Sequence, residues 1–239
     1  MKNFFLTMAV AMLFGATASA QCKVGDIYDK DGLKGIVVKV DETGEHGLIM
    51  SLKKSAKKWL SDSDEKSETA AFFEDDGEKN MAAIEKYIEE NGKSWEIFPF
   101  FEWCRSLGEG WYAPATDELK DILVTINGGE GKYNAKFMKV ITKTLKKAKG
   151  DGLVNGGMTG TNNPQWMLSS TETGGGMVYA LQFQESTSSS ISRNLVGGFG
   201  FGAKGKGTPK GDFKVSPWTK KQTGGKFAGT FGSRAVHKF

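Results

Sequence analysis

Residues 98–126 read FPFFEWCRSLGEGWYAPATDELKDILVTI, and this stretch decides the fold class. Pro99 suits the first turn of a helix, where its missing N–H would have no partner, and apolar residues follow at helical spacing. Thr116 is the predicted N-cap of a second helix, whose apolar face comprises Leu119, Ile122, Leu123 and Ile126. A short corner containing Trp111 joins the two helices. The stretch therefore predicts the packed centre of a small α+β domain.

Upstream of this stretch, the sequence predicts a β-hairpin followed by a helix. Runs 34–40 and 46–52 are rich in β-branched and apolar residues, and the turn 41–45 separates them. Residues 79–90 place apolar side chains on one helical face, and Asn91 and Gly92 end that helix.

Downstream, the most regular amphipathic pattern covers residues 133–149. Its lysines lie mostly off an apolar stripe that we expect to face the core, namely Phe137, Val140, Ile141, Leu145 and Ala148. Strand-like runs follow at 166–170, 177–184 and 233–239, between two long irregular segments at 152–165 and 197–232. The last run alternates apolar and polar residues, so we expect it to pair near the early hairpin.

One ordered set of residues links the central stretch to the C-terminus: Phe100, Trp103, Cys104, Leu107, Gly108, Gly110, Trp111, Tyr112, Pro114, Glu118, Leu119, Trp166, Ser169, Ser170, Thr171, Glu172, Arg234, Ala235, Val236 and Phe239. This order resembles secreted bacterial domains related to the Lcl C-terminal domain, also described as major paralogous domains. The resemblance implies a C-type-lectin-like fold, distantly related to the formylglycine-generating enzyme fold. It implies no activity, because this chain lacks the closely spaced cysteine pair of those enzymes.

Residues 1–20 predict a secretory signal peptide, with Lys2, an apolar run over 4–16 and a small-residue cleavage site at 18–20. That run is shorter than the roughly 20 residues of a membrane-spanning helix, so we predict no membrane span. Residues 21–239 are expected to form a single domain, with a hairpin part (24–52), a helical part (77–150) and a loop and strand part (151–239). The predicted location is periplasmic, outer-surface or extracellular.

The formal net charge of +4 identifies no class of partner, but its distribution is uneven. Residues 62–102 are acidic, whereas 132–149 and 204–226 are lysine-rich. Ordinary solvation explains the lysines better than a polyanion site, since an exported protein rarely meets nucleic acid, and we predict no nucleic-acid partner. Cys22 and Cys104 leave three alternatives open: free thiols, one disulfide, or lipidation of Cys22.

Each candidate motif for catalysis or cofactor binding lacks residues or structural context that its chemistry requires. Residues 200–205 match G-x-G-x-x-G but lack the strand and the helix that a nucleotide site needs. His46 and His237 lie in predicted strands, and no G-x-S-x-G elbow occurs. The amides around Pro164 are too few to bind calcium. The sequence therefore predicts no enzymatic activity, no cofactor and no metal.

Long loops on a rigid scaffold are typical of recognition, so the leading interpretation is a secreted or cell-surface binding or adhesion module. Its ligand would be an unknown glycan or protein at the cell surface. The predicted contact residues are Asn162, Asn163, Trp166, Ser188, Ser190 and Trp218. The alternative is a structural envelope or surface-assembly subunit without a soluble ligand. Exposure of Trp166 or Trp218 favours the binding module, and burial of both favours the structural subunit.

Overall fold

The computed structural model describes residues 21–61, 67–129, 134–153, 166–183, 213–223 and 231–239. These ranges contain the strands β1 (Ile27–Lys30), β2 (Leu33–Val40), β3 (Gly47–Ser51), β4 (Met167–Gly174), β5 (Met177–Phe183), β6 (Phe213–Thr219) and β7 (Val236–Lys238). Their α-helices are α1 (Gly77–Glu90), α2 (Pro99–Ser106), α3 (Thr116–Ile126) and α4 (Ala135–Lys147). The predicted combination of several helices with short antiparallel sheets is confirmed. Within the described ranges, no helix has the length and apolar character needed to cross a membrane.

The first sheet brings the end of the chain back to its beginning. Its strand order is β1-β2-β3-β7, and all neighbours are antiparallel. In the β3–β7 pair, His237 lies opposite Ile49, and an isolated bridge between Ser233 and Ser55 extends the contact. The prediction that the C-terminal strand pairs with the early hairpin is therefore confirmed.

This sheet separates two hydrophobic cores, because successive side chains of a strand point to opposite faces. Val37 and Ile49 belong to the first core, together with the buried sides of α1 and α2. Ile36 and Met50 belong to the second, together with the buried sides of α3 and α4. The helices α1 and α2 therefore lie on one face of the sheet, and α3 and α4 on the other.

The central helix pair follows the sequence prediction except at one cap. Pro99 occupies the first turn of α2, and Gly108, with φ of 130°, follows its end. Thr116 is not the N-cap of α3, because Ala115 occupies that position and Thr116 is the first helical residue. The N–H of Thr116 donates to Thr171 Oγ1 at 3.1 Å, so a partner from β4 replaces the predicted local cap.

The predicted core stripe of α4 is wrong at Val140. This side chain is 54% exposed, whereas Met138, Ile141 and Leu145 are buried. The buried residues follow one another at spacings of three and four along the helix, and Val140 lies off that line. The outer surface of α4 therefore has an apolar residue among its lysines.

The second sheet has the order β4-β5-β6, and β6 corrects the prediction of an irregular segment over 197–232. Pro217 lies within this strand, although proline cannot donate a ladder hydrogen bond. However, β6 is an edge strand, and an edge accepts proline where the N–H position faces away from the neighbour. Tyr179 of β5 pairs with Pro217 in this register.

Candidate functional site

A groove of about 720 Å³ lies between α1, α2 and the corner that follows α2. Its walls carry the carboxylates of Glu78, Glu85, Glu102 and Glu109, and Trp95 and Met81 contribute apolar surface. Trp95 belongs to a short 3₁₀-helix, Trp95–Ile97, between α1 and α2.

Helical spacing explains why α1 presents this surface. Glu78, Met81 and Glu85 are separated by three and four residues, so they project from one face of the helix. The opposite face is buried through Ile84 and Ile88. Asp76 caps the helix by accepting the N–H of Lys79 at 2.9 Å. The groove wall is therefore fixed by the packing of a capped helix.

Two cations of the protein itself lie against the rim of the groove. The Arg105 guanidinium is 4.2 Å from the centroid of the Trp95 ring and 3.8 Å from the Glu85 carboxylate. Lys238 forms an ion pair with Glu78, and this hydrogen bond raises the pKa of Lys238. These contacts are largely exposed, so each contributes little to stability.

Glu102 and Glu109 differ from the other two carboxylates. Within the described ranges, neither has a cation at ion-pair distance. Both side chains are exposed on the groove. The groove thus combines a partly exposed aromatic ring with carboxylates open to solvent, which suits a ligand with cationic and apolar groups.

The corner beside the groove is held by His237. A Cβ at Gly110, where φ is 77°, would lie 2.5 Å from His237 Nε2, so only glycine fits there. That nitrogen is 3.0 Å from the carbonyl oxygen of Glu109, and the other ring nitrogen contacts the carbonyl of Lys238. The imidazole therefore contacts backbone oxygens, whereas a hydrolytic base contacts a carboxylate and a hydroxyl.

The structure buries two of the six predicted contact residues. Trp166 and Trp218 are 7% and 5% exposed, and their ring centroids lie 5.5 Å apart. Phe231 packs edge-on against Trp218 at 5.2 Å. Both rings therefore pack in the core and are not displayed on a loop. Asn162, Asn163, Ser188 and Ser190 lie outside the described residues.

The sequence motif Ser169–Glu172 forms a buried polar network rather than a binding site. Ser169 Oγ donates to the carbonyl of Tyr179 at 3.0 Å and lies 3.1 Å from Thr116 Oγ1. Ser170 Oγ accepts a hydrogen bond from Asn80 Nδ2 at 3.0 Å. These bonds connect β4 with β5, α3 and α1, and they satisfy polar groups that burial would otherwise destabilise.

Both cysteines are free in the structure, which agrees with the free-thiol alternative. Cys104 is fully buried on α2, and this burial raises the pKa of its thiol. Cys22 is partly buried beside the hairpin, where its N–H donates to the Gly44 carbonyl at 3.0 Å. The described residues contain no group of three or more His, Cys, Asp or Glu side chains suited to hold a metal.

The sequence prediction missed Trp95 and the carboxylates of the groove. The acidic character of residues 62–102 and the spacing of Glu78 and Glu85 were the available signals. Neither signal reveals that the exposed face of α1 opposes α2 across a groove. No family model, curated protein or solved structure matches this chain.

Proposed function

We propose that this chain is a non-catalytic binding or adhesion module, secreted or held at the cell surface, and that its contact surface is the acidic groove. The observation that carries the proposal is the combination of Trp95 with the solvent-exposed Glu102 and Glu109 on rigid helices and their corner. Rigid positions favour binding because a ligand then pays little for ordering the protein side chains. The ligand would be a glycan or protein bearing cationic groups.

Three sequence features support the wider setting of this proposal. The N-terminal pattern over residues 1–20 supports export to the periplasm, the outer surface or the extracellular space. The ordered motif residues support a C-type-lectin-like fold, and pairing of β7 with β3 is consistent with it. The placement of His237 against backbone carbonyls supports a role without catalysis.

The test is a glycan and host-protein array probed with residues 21–239. We expect binding that is lost when Trp95→Ala or the double substitution Glu102→Lys with Glu109→Lys alters the groove. A matched control reverses two exposed carboxylates on the hairpin turn, Glu42→Lys with Glu45→Lys, and should leave binding unchanged. Binding that survives both groove variants would refute the groove as the contact surface.

A second candidate is the structural envelope or surface-assembly subunit. The burial of both Trp166 and Trp218 favours it, because the second half of the chain then uses its aromatic rings to build the core. A folded domain that binds nothing across a broad array would support this candidate over the binding module. Circular dichroism on the same preparation establishes that the domain is folded.

A further inference from the structure

The outer surface of α4 is strongly basic. Residues 135–149 contain six lysines and no acidic residue. All six are exposed, and within the described ranges none lies at ion-pair distance from a carboxylate. Val140 is also exposed. It lies among these lysines, because Lys136 and Lys143 are its neighbours at helical spacing. This arrangement leaves an amphipathic helix face without a partner.

The segment that forms α1, α2 and the groove has the opposite charge. Residues 67–109 contain eleven acidic and four basic residues. Four of the acidic residues line the groove, and Trp95 and Met81 add apolar surface between them. The groove is therefore complementary to the outer face of α4. Its carboxylates can pair with the lysines, and the ring of Trp95 can pack against Val140.

One copy of the chain cannot bring these two surfaces together. Met138 and Ile141 of α4 pack into the second core, whereas Ile84 of α1 and Phe101 of α2 pack into the first. The four-stranded sheet lies between the two cores, so the basic face and the helices of the groove belong to opposite faces of that sheet. A second copy can present its α4 to the groove without any rearrangement.

We propose that the basic face of α4 from one copy docks in the acidic groove of a second copy. This inference rests on the proposed function, in which the groove is a binding surface. A helix of 13 residues is about 20 Å long, a length suited to the helix-in-groove mode of recognition. The two contact surfaces differ, so the contact is heterologous and builds either a closed ring or an open chain of copies.

The predicted contact is electrostatic and therefore sensitive to salt. Sedimentation velocity of residues 21–239 should show concentration-dependent association at about 0.1 M ionic strength, where the Debye length is about 10 Å. We expect at least tenfold weaker association at about 1 M, where that length is about 3 Å. A chain that stays monomeric at the lower ionic strength at every concentration would overturn the proposal.

Charge exchange tests the two surfaces separately. The variant Lys139→Glu with Lys143→Glu should lose self-association, and so should Glu102→Lys with Glu109→Lys. A mixture of the two variants should regain it, because each supplies the charge that the other lacks. The hairpin variant Glu42→Lys with Glu45→Lys is the control and should associate as the unaltered chain does. Association that persists in either single-surface variant would contradict the proposed contact.

Carbodiimide cross-linking of the unaltered chain provides a measurement that does not depend on the folding of any variant. In a mixture of ¹⁴N- and ¹⁵N-labelled chains, we expect mixed-isotope cross-links between lysines of α4 and carboxylates of the groove. Mixed-isotope links only at other sites would overturn the proposal. If the chain is monomeric but the groove variants lose binding on the array, the self-association proposal is refuted and the proposed binding function is supported. If charge exchange restores association and the chain binds nothing on the array, the binding-module proposal is refuted and the groove serves self-assembly.

Discussion

The ammonium group of Lys220 forms an ion pair with the carboxylate of Glu172 in the interior, where each side chain is 1% exposed. Lys220 also donates to the carbonyl of Ser67 and lies 4.5 Å from the centroid of the Trp59 ring. The other oxygen of Glu172 accepts the N–H of Thr69 at 2.9 Å. The pair therefore attaches the end of the second sheet to the segment that precedes α1.

Removing one member of this pair leaves a buried charge without its partner. Lys220→Met should lower the free energy of unfolding by about 3–5 kcal/mol, measured by urea denaturation. The double variant Lys220→Met with Glu172→Leu should be more stable than Lys220→Met alone, since no charge then remains buried. A single variant as stable as the unaltered protein would contradict this prediction.

Arg234 is expected to stabilise the junction between β3 and the segment after α4. Its guanidinium donates to the carbonyls of Ser51, Leu52 and Asp151 at 2.6–2.8 Å. Burial lowers the pKa of Arg234 to about 10, which leaves the group charged at neutral pH. Arg234→Lys should lower the free energy of unfolding by about 2–4 kcal/mol. The compact ammonium group of lysine lacks the planar fork with which the guanidinium reaches three separated carbonyls. The exposed Lys53→Ala serves as a control and should change stability little.

Glu118 is expected to make stability depend on pH. Burial raises its pKa above the ordinary value of 4.5, although it accepts N–H groups from Ala115 and Gly77. Between 4.5 and the raised pKa, the folded state holds more protons than the unfolded state, so its contribution to stability falls as pH rises. The difference in unfolding free energy between the unaltered protein and Glu118→Gln should therefore decrease from pH 4.5 upwards. If this free-energy difference instead increased with pH, the pKa of Glu118 would be lowered in the folded state.

The two thiols should differ in reactivity. Cys104 is fully buried with a raised pKa, whereas Cys22 is partly exposed. A thiol reagent such as Ellman's should label one cysteine in the folded protein and both in denaturant, because the thiolate is the reactive form. In Cys22→Ser, we expect no labelling until the protein unfolds. Rapid labelling of Cys104 in the folded state would contradict its burial.

The substitution Trp218→Ala should destabilise the folded protein. The ring packs between Trp166 and Phe231, so its removal should cost about 3–5 kcal/mol of unfolding free energy. Trp103→Ala is a matched control, since Trp103 is only partly buried and stacks on Phe100 at 6.2 Å. We expect a smaller loss there. A Trp218 variant of unchanged stability that loses binding would restore the original role of this residue.

Local patterns predicted the helices well because helical contacts join residues close in sequence. The cap residue Asn91 follows α1 as expected. The sequence failed where a distant partner replaced a local one. Thr116 uses an acceptor on β4, and Pro217 lies in an edge strand whose neighbour is about forty residues earlier in the chain.

The sequence by itself determined the helices α1 to α4, the early hairpin and the return of the C-terminal strand, because hydrophobic periodicity specifies which face of each element is buried. Only the tertiary structure decided which aromatic rings face solvent. Trp166, Trp218 and Trp95 are the same residue type in similarly polar surroundings, yet the first two pack against each other and the third borders a groove. Burial depends on which elements meet in space, and that information is absent from the spacing of residues along the chain.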